Sequence, residues 1–329
     1  MNTILKKINQ IMSISDIPGL GIAIVSPTAT KTATFGVSNL STGKQIIDSD
    51  IWQLASVSKN ISATAVAWLT QINPSVEFDT LVGNHFNSEA QNKSVTVADC
   101  LSHTTGLPTM AGSTMATYGY SWTDILKTMK SYPDSGFRYE FHYGNESLTL
   151  GVNAAAQPAK ISSSTLLTEF FKASGMRNAT VDYNTIQASS QMVTSHVRIN
   201  GKLSPSRAFD QRAFIPAAGV AASLNDMEVY LKIHTEKLLP DLDKLYVPIV
   251  KSGVPNGEYY GLGTAISKVT GETVYLHNGL YATGWSSVIM YSPEHKIGIA
   301  IMTNSVNPVP QALAAVSYTH LTLPTILLV

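Results

Sequence analysis

Ser56-Val57-Ser58-Lys59, Tyr143-Gly144-Asn145 and His277-Asn278-Gly279 hold side chains from which acyl-transfer chemistry can be assembled: hydroxyl, amine, phenol, amide and imidazole. Residues three apart on a helix lie about one turn from each other on one face, so Lys59 can reach the Ser56 hydroxyl. A serine at a helix N-terminus meets unpaired backbone N–H groups and the positive end of the macrodipole, which favour an alkoxide or an acyl oxyanion. A lysine beside it acts as a base only where burial or a neighbouring cation lowers its pKa toward the working pH. The plainer reading makes Ser56 an N-cap and Lys59 a solvated first-turn residue. A second Ser-x-x-Lys match, Ser41-Thr42-Gly43-Lys44, lies between two strand-like runs and reads as a turn. Ser56 instead opens an apolar segment with helical spacing that continues through Leu69.

Tyr143 and Asn145 precede an apolar, helix-competent run from Leu148 to Ala156, and the intervening glycine suits a tight loop, so the pair is expected on a loop before a helix. A tyrosine there can relay a proton between nucleophile and leaving group, while an amide can bind a substrate carbonyl and the lysine together. Their plainer roles are a structural ring and a helix cap. His277-Asn278-Gly279 lies between two β-branched and aromatic runs joined by a glycine-containing turn, which predicts an antiparallel hairpin. Gly279 would admit a ligand backbone, and the N–H of Leu280 could serve with that of Ser56 as an oxyanion hole. Lys251-Ser252-Gly253 competes with this motif but runs into Val254-Pro255-Asn256-Gly257, which is turn chemistry.

Two further segments accompany these motifs: Leu101-Ser102-His103-Thr104-Thr105-Gly106-Leu107-Pro108, and Pro216-Ala217-Ala218-Gly219-Val220-Ala221-Ala222-Ser223 followed by Asp226-Met227. Together they resemble the serine β-lactamase and D,D-peptidase clan, in the branch of class C β-lactamases, D-alanyl-D-alanine carboxypeptidases, D-aminopeptidases and β-lactamase-like esterases. The resemblance covers nearly the whole chain up to about Asn307. It implies an α/β fold of the α+β type, β-lactamase/transpeptidase-like, with an antiparallel sheet flanked by helices plus a mostly helical domain. It also implies Ser56 as the acylated nucleophile, Lys59 as its general-base partner, Tyr143 as proton relay, and Asn145 and His277 as groups lining the cleft. Two departures stand out. His277 replaces the lysine of Lys-Thr-Gly, and a neutral imidazole is a poorer partner for a substrate carboxylate; Ala218 stands where the related segment usually has glycine. The resemblance therefore implies ester or peptide-amide hydrolysis, carboxypeptidase- or esterase-like, ahead of β-lactam hydrolysis. A catalytically silent member binding a peptide or cell-wall fragment is the alternative, since one fold hosts many functions.

Periodicity supplies the elements that must position these groups. Paired strands are expected at Gly19–Val25 and Lys31–Val37, with further strands of the same sheet at Thr264–Ser267, Thr273–His277, Ser287–Tyr291 and Ile297–Met302. Helices are expected at Val97–Ser102, Trp122–Ser131, Leu148–Ala156 and Thr165–Ala173, with a loop around Ala111 to Thr117. Residues 1–80 and 205–315 then form a discontinuous sheet domain and 81–204 a mostly helical one, with the site between them. Met1 to Met12 read as an amphipathic helix without a signal-peptide core, which leaves location open. Residues 316–325 read as a translated transposase-adapter sequence, so 316–329 are set apart as a non-native tail and a final helix is expected only to begin at Val309–Ala315.

Composition narrows the partners. The 329 residues carry net charge +0 with 13% charged side chains and show no basic stripe, which disfavours nucleic acid and membrane surfaces. Cys100 is the single cysteine, so no intramolecular disulfide forms and a small buried thiol is expected. The eight histidines lack metal spacing, no cofactor is called for, and no apolar run is long enough to span a membrane. The expected partner is a small-molecule or peptide substrate; oligomeric state is left open.

Overall fold

The structure is a computed structural model that describes residues 2–253 and 257–322. Its centre is a nine-stranded sheet among the described residues. The strands are β1 (Gly19–Val25), β2 (Thr30–Asn39), β3 (Lys44–Gln45), β4 (Val250–Lys251), β5 (Tyr259–Tyr260), β6 (Ala265–Val269), β7 (Glu272–Tyr281), β8 (Trp285–Ser292) and β9 (Ile297–Thr303). The order is β3-β2-β1-β9-β8-β7-β6-β5-β4, with antiparallel neighbours throughout.

β1, Gly-Leu-Gly-Ile-Ala-Ile-Val, is an uninterrupted apolar run because both of its faces are covered. Leu20, Ile22 and Ile24 point into one core and Ala23 and Val25 into the other. β9 repeats the pattern, with Ile297, Ile299 and Ile301 on the first side and Ala300 and Met302 on the second. Helices α1 (Asn2–Ile14) and α5 (Val309–Thr322) close the first side through Ile4, Ile8, Leu313, Ala314 and Tyr318. Helices α2 (Val57–Ile72) and α4 (Leu224–Thr235) close the second. Between them in sequence, α3 (Asn145–Ala156) packs on α2. α4 sits close to the sheet because the strands beneath it carry small residues. A Cβ added to Gly21 would lie 3.1 Å from Leu224 Cδ2, and one added to Gly298 3.0 Å from Leu231 Cβ.

α2 is buried on nearly every side, and its polar residues are therefore partnered within the protein. Ser62 Oγ donates to Pro216 O at 2.7 Å, and Ser58 Oγ accepts from Val220 N at 3.0 Å. Asn60 Nδ2 donates to Thr264 Oγ1 at 2.6 Å and Tyr291 Oη at 3.1 Å. These bonds fix the start of α2 against the 216–220 segment and the sheet.

The expected strands are present, and the expected helices are present with shifted ends. Four expectations need correction. α3 begins at Asn145, so this residue is in the first helical turn and only Tyr143 and Gly144 precede it. Ser113–Thr117 is a short helix rather than loop, held where Glu146 accepts from Gly112 N and Ser113 Oγ. β7 does not stop at His277 but runs to Tyr281, because β8 pairs with it out to Trp285. α5 extends through residues 316–322, and Tyr318 is buried on the sheet. Residues 323–329 and the Val254–Asn256 part of the expected turn lie outside the described residues. The Ser41–Lys44 match falls on the turn between β2 and β3, as expected, with Lys44 opening β3. Cys100 is buried, and burial raises its pKa well above the ordinary thiol value.

Candidate active site

Ser56 is the residue immediately before α2, and Ala55 ahead of it adopts φ 48°. That left-handed conformation is costly for a residue with a Cβ, so the chain turns sharply into the helix at Ser56. One turn later Lys59 is fully buried. Its Nζ lies 3.1 Å from Ser56 Oγ, 2.7 Å from Asn145 Oδ1 and 3.0 Å from Ala217 O. Burial lowers the Lys59 pKa to about 7, and the charge of Glu146 acts in the opposite direction. The solvated first-turn lysine of the plainer reading is thereby excluded.

Tyr143 stands over the same amine, with Lys59 Nζ 4.7 Å from its ring centroid. Burial pushes its phenol pKa well above the ordinary value, and a hydrogen bond with Ser56 partly offsets this. At neutral pH it is therefore a phenol, able to pass a proton but not to act as a standing tyrosinate base. Asn145 Nδ2 approaches Ser113 Oγ at 3.4 Å, and Ser113 donates to Glu146 Oε1 at 3.0 Å. A hydrogen-bonded chain thus runs from Lys59 through Asn145 and Ser113 to Glu146, which is itself buried.

β7 brings the third motif to the serine. A Cβ on Gly279 would lie 2.2 Å from Leu54 O and 3.2 Å from Ser56 N, so only glycine lets this strand lie against the backbone around Ser56. His277 is buried and both ring nitrogens are engaged: Nδ1 is 2.8 Å from Asn278 O and Nε2 is 2.9 Å from Tyr260 Oη. A carbonyl can only accept, which puts the proton on Nδ1 and makes Nε2 the acceptor for the tyrosine. Burial, reinforced by the Lys59 charge, brings the His277 pKa to about 3. The imidazole is neutral and committed to protein partners, leaving it no free ring nitrogen for a ligand.

A cleft of about 900 Å³ joins these groups and is lined by Ser56, Tyr143, His277, Gly279 and Leu280. The three motifs thus meet at one place, with Asn145 behind Lys59. Glu146, Ser113, His103 and Tyr260 were not singled out from sequence. His103 is fully buried at φ 61°, its Nδ1 accepts from Gly144 N at 3.3 Å, and its ring centroid lies 4.7 Å from that of Tyr143. It braces the tyrosine from behind. Its place in the Leu101–Pro108 segment was the only sequence signal for it, whereas Glu146 was adjacent to a recognised motif and indistinguishable from a surface acid.

The comparisons agree with this architecture. The structure is similar to that of the octameric penicillin-binding protein homologue from Pyrococcus abyssi, with a TM-score of 0.85 at 19% identity, covering 97% of this chain and 77% of that one. It is also similar to the class C beta-lactamase from Rhodobacter sphaeroides, with a TM-score of 0.80 at 15% identity, covering 98% of this chain and 100% of that one. No curated protein sequence matches. The beta-lactamase family model matches residues 5–322, and with that match spanning nearly its whole length the chain belongs to the beta-lactamase family, within the serine hydrolase superfamily.

Proposed function

We propose that the protein is a serine hydrolase that cleaves an uncharged ester or amide through an acyl-enzyme on Ser56. The observation that carries this reading is the buried Lys59 amine, 3.1 Å from Ser56 Oγ, with its pKa brought to about 7. As a neutral amine Lys59 has two N–H bonds, which Asn145 Oδ1 and Ala217 O accept, leaving its lone pair for the Ser56 proton. Ser56 Oγ then attacks the substrate carbonyl, and the Ser56 and Leu280 N–H groups stabilise the oxyanion. Tyr143, a phenol in contact with both Ser56 and Lys59, passes the proton to the leaving group; water releases the acyl group by the same relay in reverse.

The choice of ester or neutral amide over a carboxylate-bearing β-lactam or peptide rests on charge. No lysine or arginine lines the cleft among the described residues, and His277 is neutral with both ring nitrogens occupied. Among the described residues of the cleft no cationic side chain complements a carboxylate.

Intact-mass spectrometry after exposure to a fluorophosphonate tests the reading. A single adduct is expected on the wild type and on Ser41→Ala, and none on a folded Ser56→Ala. An adduct that persists on Ser56→Ala, or none on folded wild type, overturns it, and the second result turns attention to a silent binding protein.

A further inference from the structure

The cleft does not end at β7. β6 stops at Ala265, opposite Leu276, so from His277 onward the edge of β7 that would face β6 is unpaired. Around that edge the cleft meets a second cavity of about 440 Å³, set between β6, β7, β8 and the first turns of α5. Leu276, Asn278, Pro308 and Gln311 line both spaces. Beyond this junction the second cavity is mainly apolar, with Val274, Val288 and Met290 on the sheet and Ala312 and Ala315 on α5, while Ser267 and Lys268 of β6 are its polar lining. At roughly 30 Å³ per water-sized group, it holds on the order of a dozen such groups.

The junction is polar where its surroundings are not. Asn278 Oδ1 and Gln311 Oε1 are both buried and neither has a hydrogen-bond partner. Buried amide oxygens left unpaired cost stability, so no hydrogen bond of the fold holds either amide in its present orientation. The other end of each amide opens to the cavity, and turning one amide over exchanges its N–H donor for a C=O acceptor, so the pair can present both a donor and an acceptor to a ligand.

We propose that the second cavity receives the far end of the substrate: an unbranched apolar chain, joined through an amide at Asn278 and Gln311 to the part that reacts at Ser56. This inference rests on Ser56 being the reacting residue, and it narrows the substrate class to N-acylated compounds. The apolar lining takes the chain, the two side-chain amides take the linking amide, and the unpaired edge of β7 beyond Ala265 is the passage.

The test is calorimetric titration of Ser56→Ala with acetyl-, hexanoyl- and dodecanoylglycinamide, with fluorophosphonate labelling of the wild type run in parallel. Each methylene that enters the cavity is expected to tighten binding up to about fourfold. Ala312→Trp, which puts an indole on the cavity wall, is expected to remove the gain of dodecanoyl over hexanoyl. Val269→Phe fills the same space should the tryptophan unfold the protein, as circular dichroism will tell. Gln311→Leu is expected to weaken the dodecanoyl amide several-fold and to leave methyl dodecanoate unaffected. A dissociation constant indifferent to chain length, or a gain that survives both filling variants, overturns the inference even where Ser56 labels. Chain-length dependence without labelling overturns the hydrolase reading, and with it the link to a group reacting at Ser56, and supports only the binding of the chain in the second cavity.

Discussion

At the scale of single residues, the decisive fact is that burial drives Lys59 and Tyr143 in opposite directions. The amine falls to about 7 and the phenol rises, so at neutral pH the lysine is the group that can take a proton. The rate then depends on neutral Lys59, and kcat/KM is expected to climb about tenfold per pH unit up to roughly pH 7 and level off above it. Lys59→Ala is expected to lower kcat/KM by about 10²- to 10⁴-fold and to abolish that limb, read from a pH–rate profile on the same ester. Glu146 refines the argument. Its charge raises the Lys59 pKa against the effect of burial. Glu146→Gln keeps an oxygen for Gly112 N and Ser113 while removing the charge, so the acid limb is expected to move to lower pH. A limb that stays in place, or moves up, rules out Glu146 as the charge that raises the Lys59 pKa against burial.

At the scale of elements, the site depends on three backbones converging: the entry to α2, the start of α3, and β7. Gly279 is the closest of these approaches. Gly279→Ala would drive a methyl to 2.2 Å from Leu54 O, forcing β7 away from Ser56. More than a tenfold loss of kcat/KM is expected, with a fall of about 1–3 kcal/mol in unfolding free energy, measured by urea titration beside the ester assay. An alanine variant with unchanged rate would mean that β7 does not set the oxyanion geometry. β7 also shows what the sequence could and could not reveal. Short runs rich in β-branched, aromatic and other apolar residues made the strands readable from Gly19 to Met302, and the spacing of Ser56 and Lys59 made one helix face readable. The continuation of β7 past His277 was hidden because it depends on pairing with β8 from across the hairpin. The Ser113–Thr117 helix was hidden for a similar reason: it is anchored by Glu146, which is distant in sequence. The commitment of His277 to Tyr260 could not be read at all, since no local pattern links residues on two strands.

At the scale of the whole molecule, the burial that tunes the site also makes the fold sensitive to acid. His103, His234 and His277 are buried and held neutral, with burial bringing the pKa of His234 and His277 to about 3 and that of His103 well below the ordinary value. His234 packs against Thr64 of α2, with Nε2 3.3 Å from Thr64 Oγ1, and is stacked on Tyr291 at 4.2 Å and bonded through Nδ1 to Tyr246 Oη at 2.7 Å. In the unfolded chain each imidazole titrates near 6.5, so below that pH the unfolded state binds protons that the folded state does not, down to about 3 for His234 and His277. The histidines' contribution is therefore full above pH 6.5 and is lost as the pH falls through that window, by about 2 kcal/mol each for His234 and His277 at pH 5. Lys59 extends the same sign upward, because the unfolded amine holds its proton to about 10.5 and the folded one to about 7. The urea midpoint is expected to fall steeply from pH 7.5 to pH 5, and His234→Gln to reduce that slope by about one proton. A midpoint that does not move over this range would mean that these imidazoles are protonated in the folded state. His277 could not then accept from Tyr260, and the interior that lowers the Lys59 pKa would be more polar than the structure makes it.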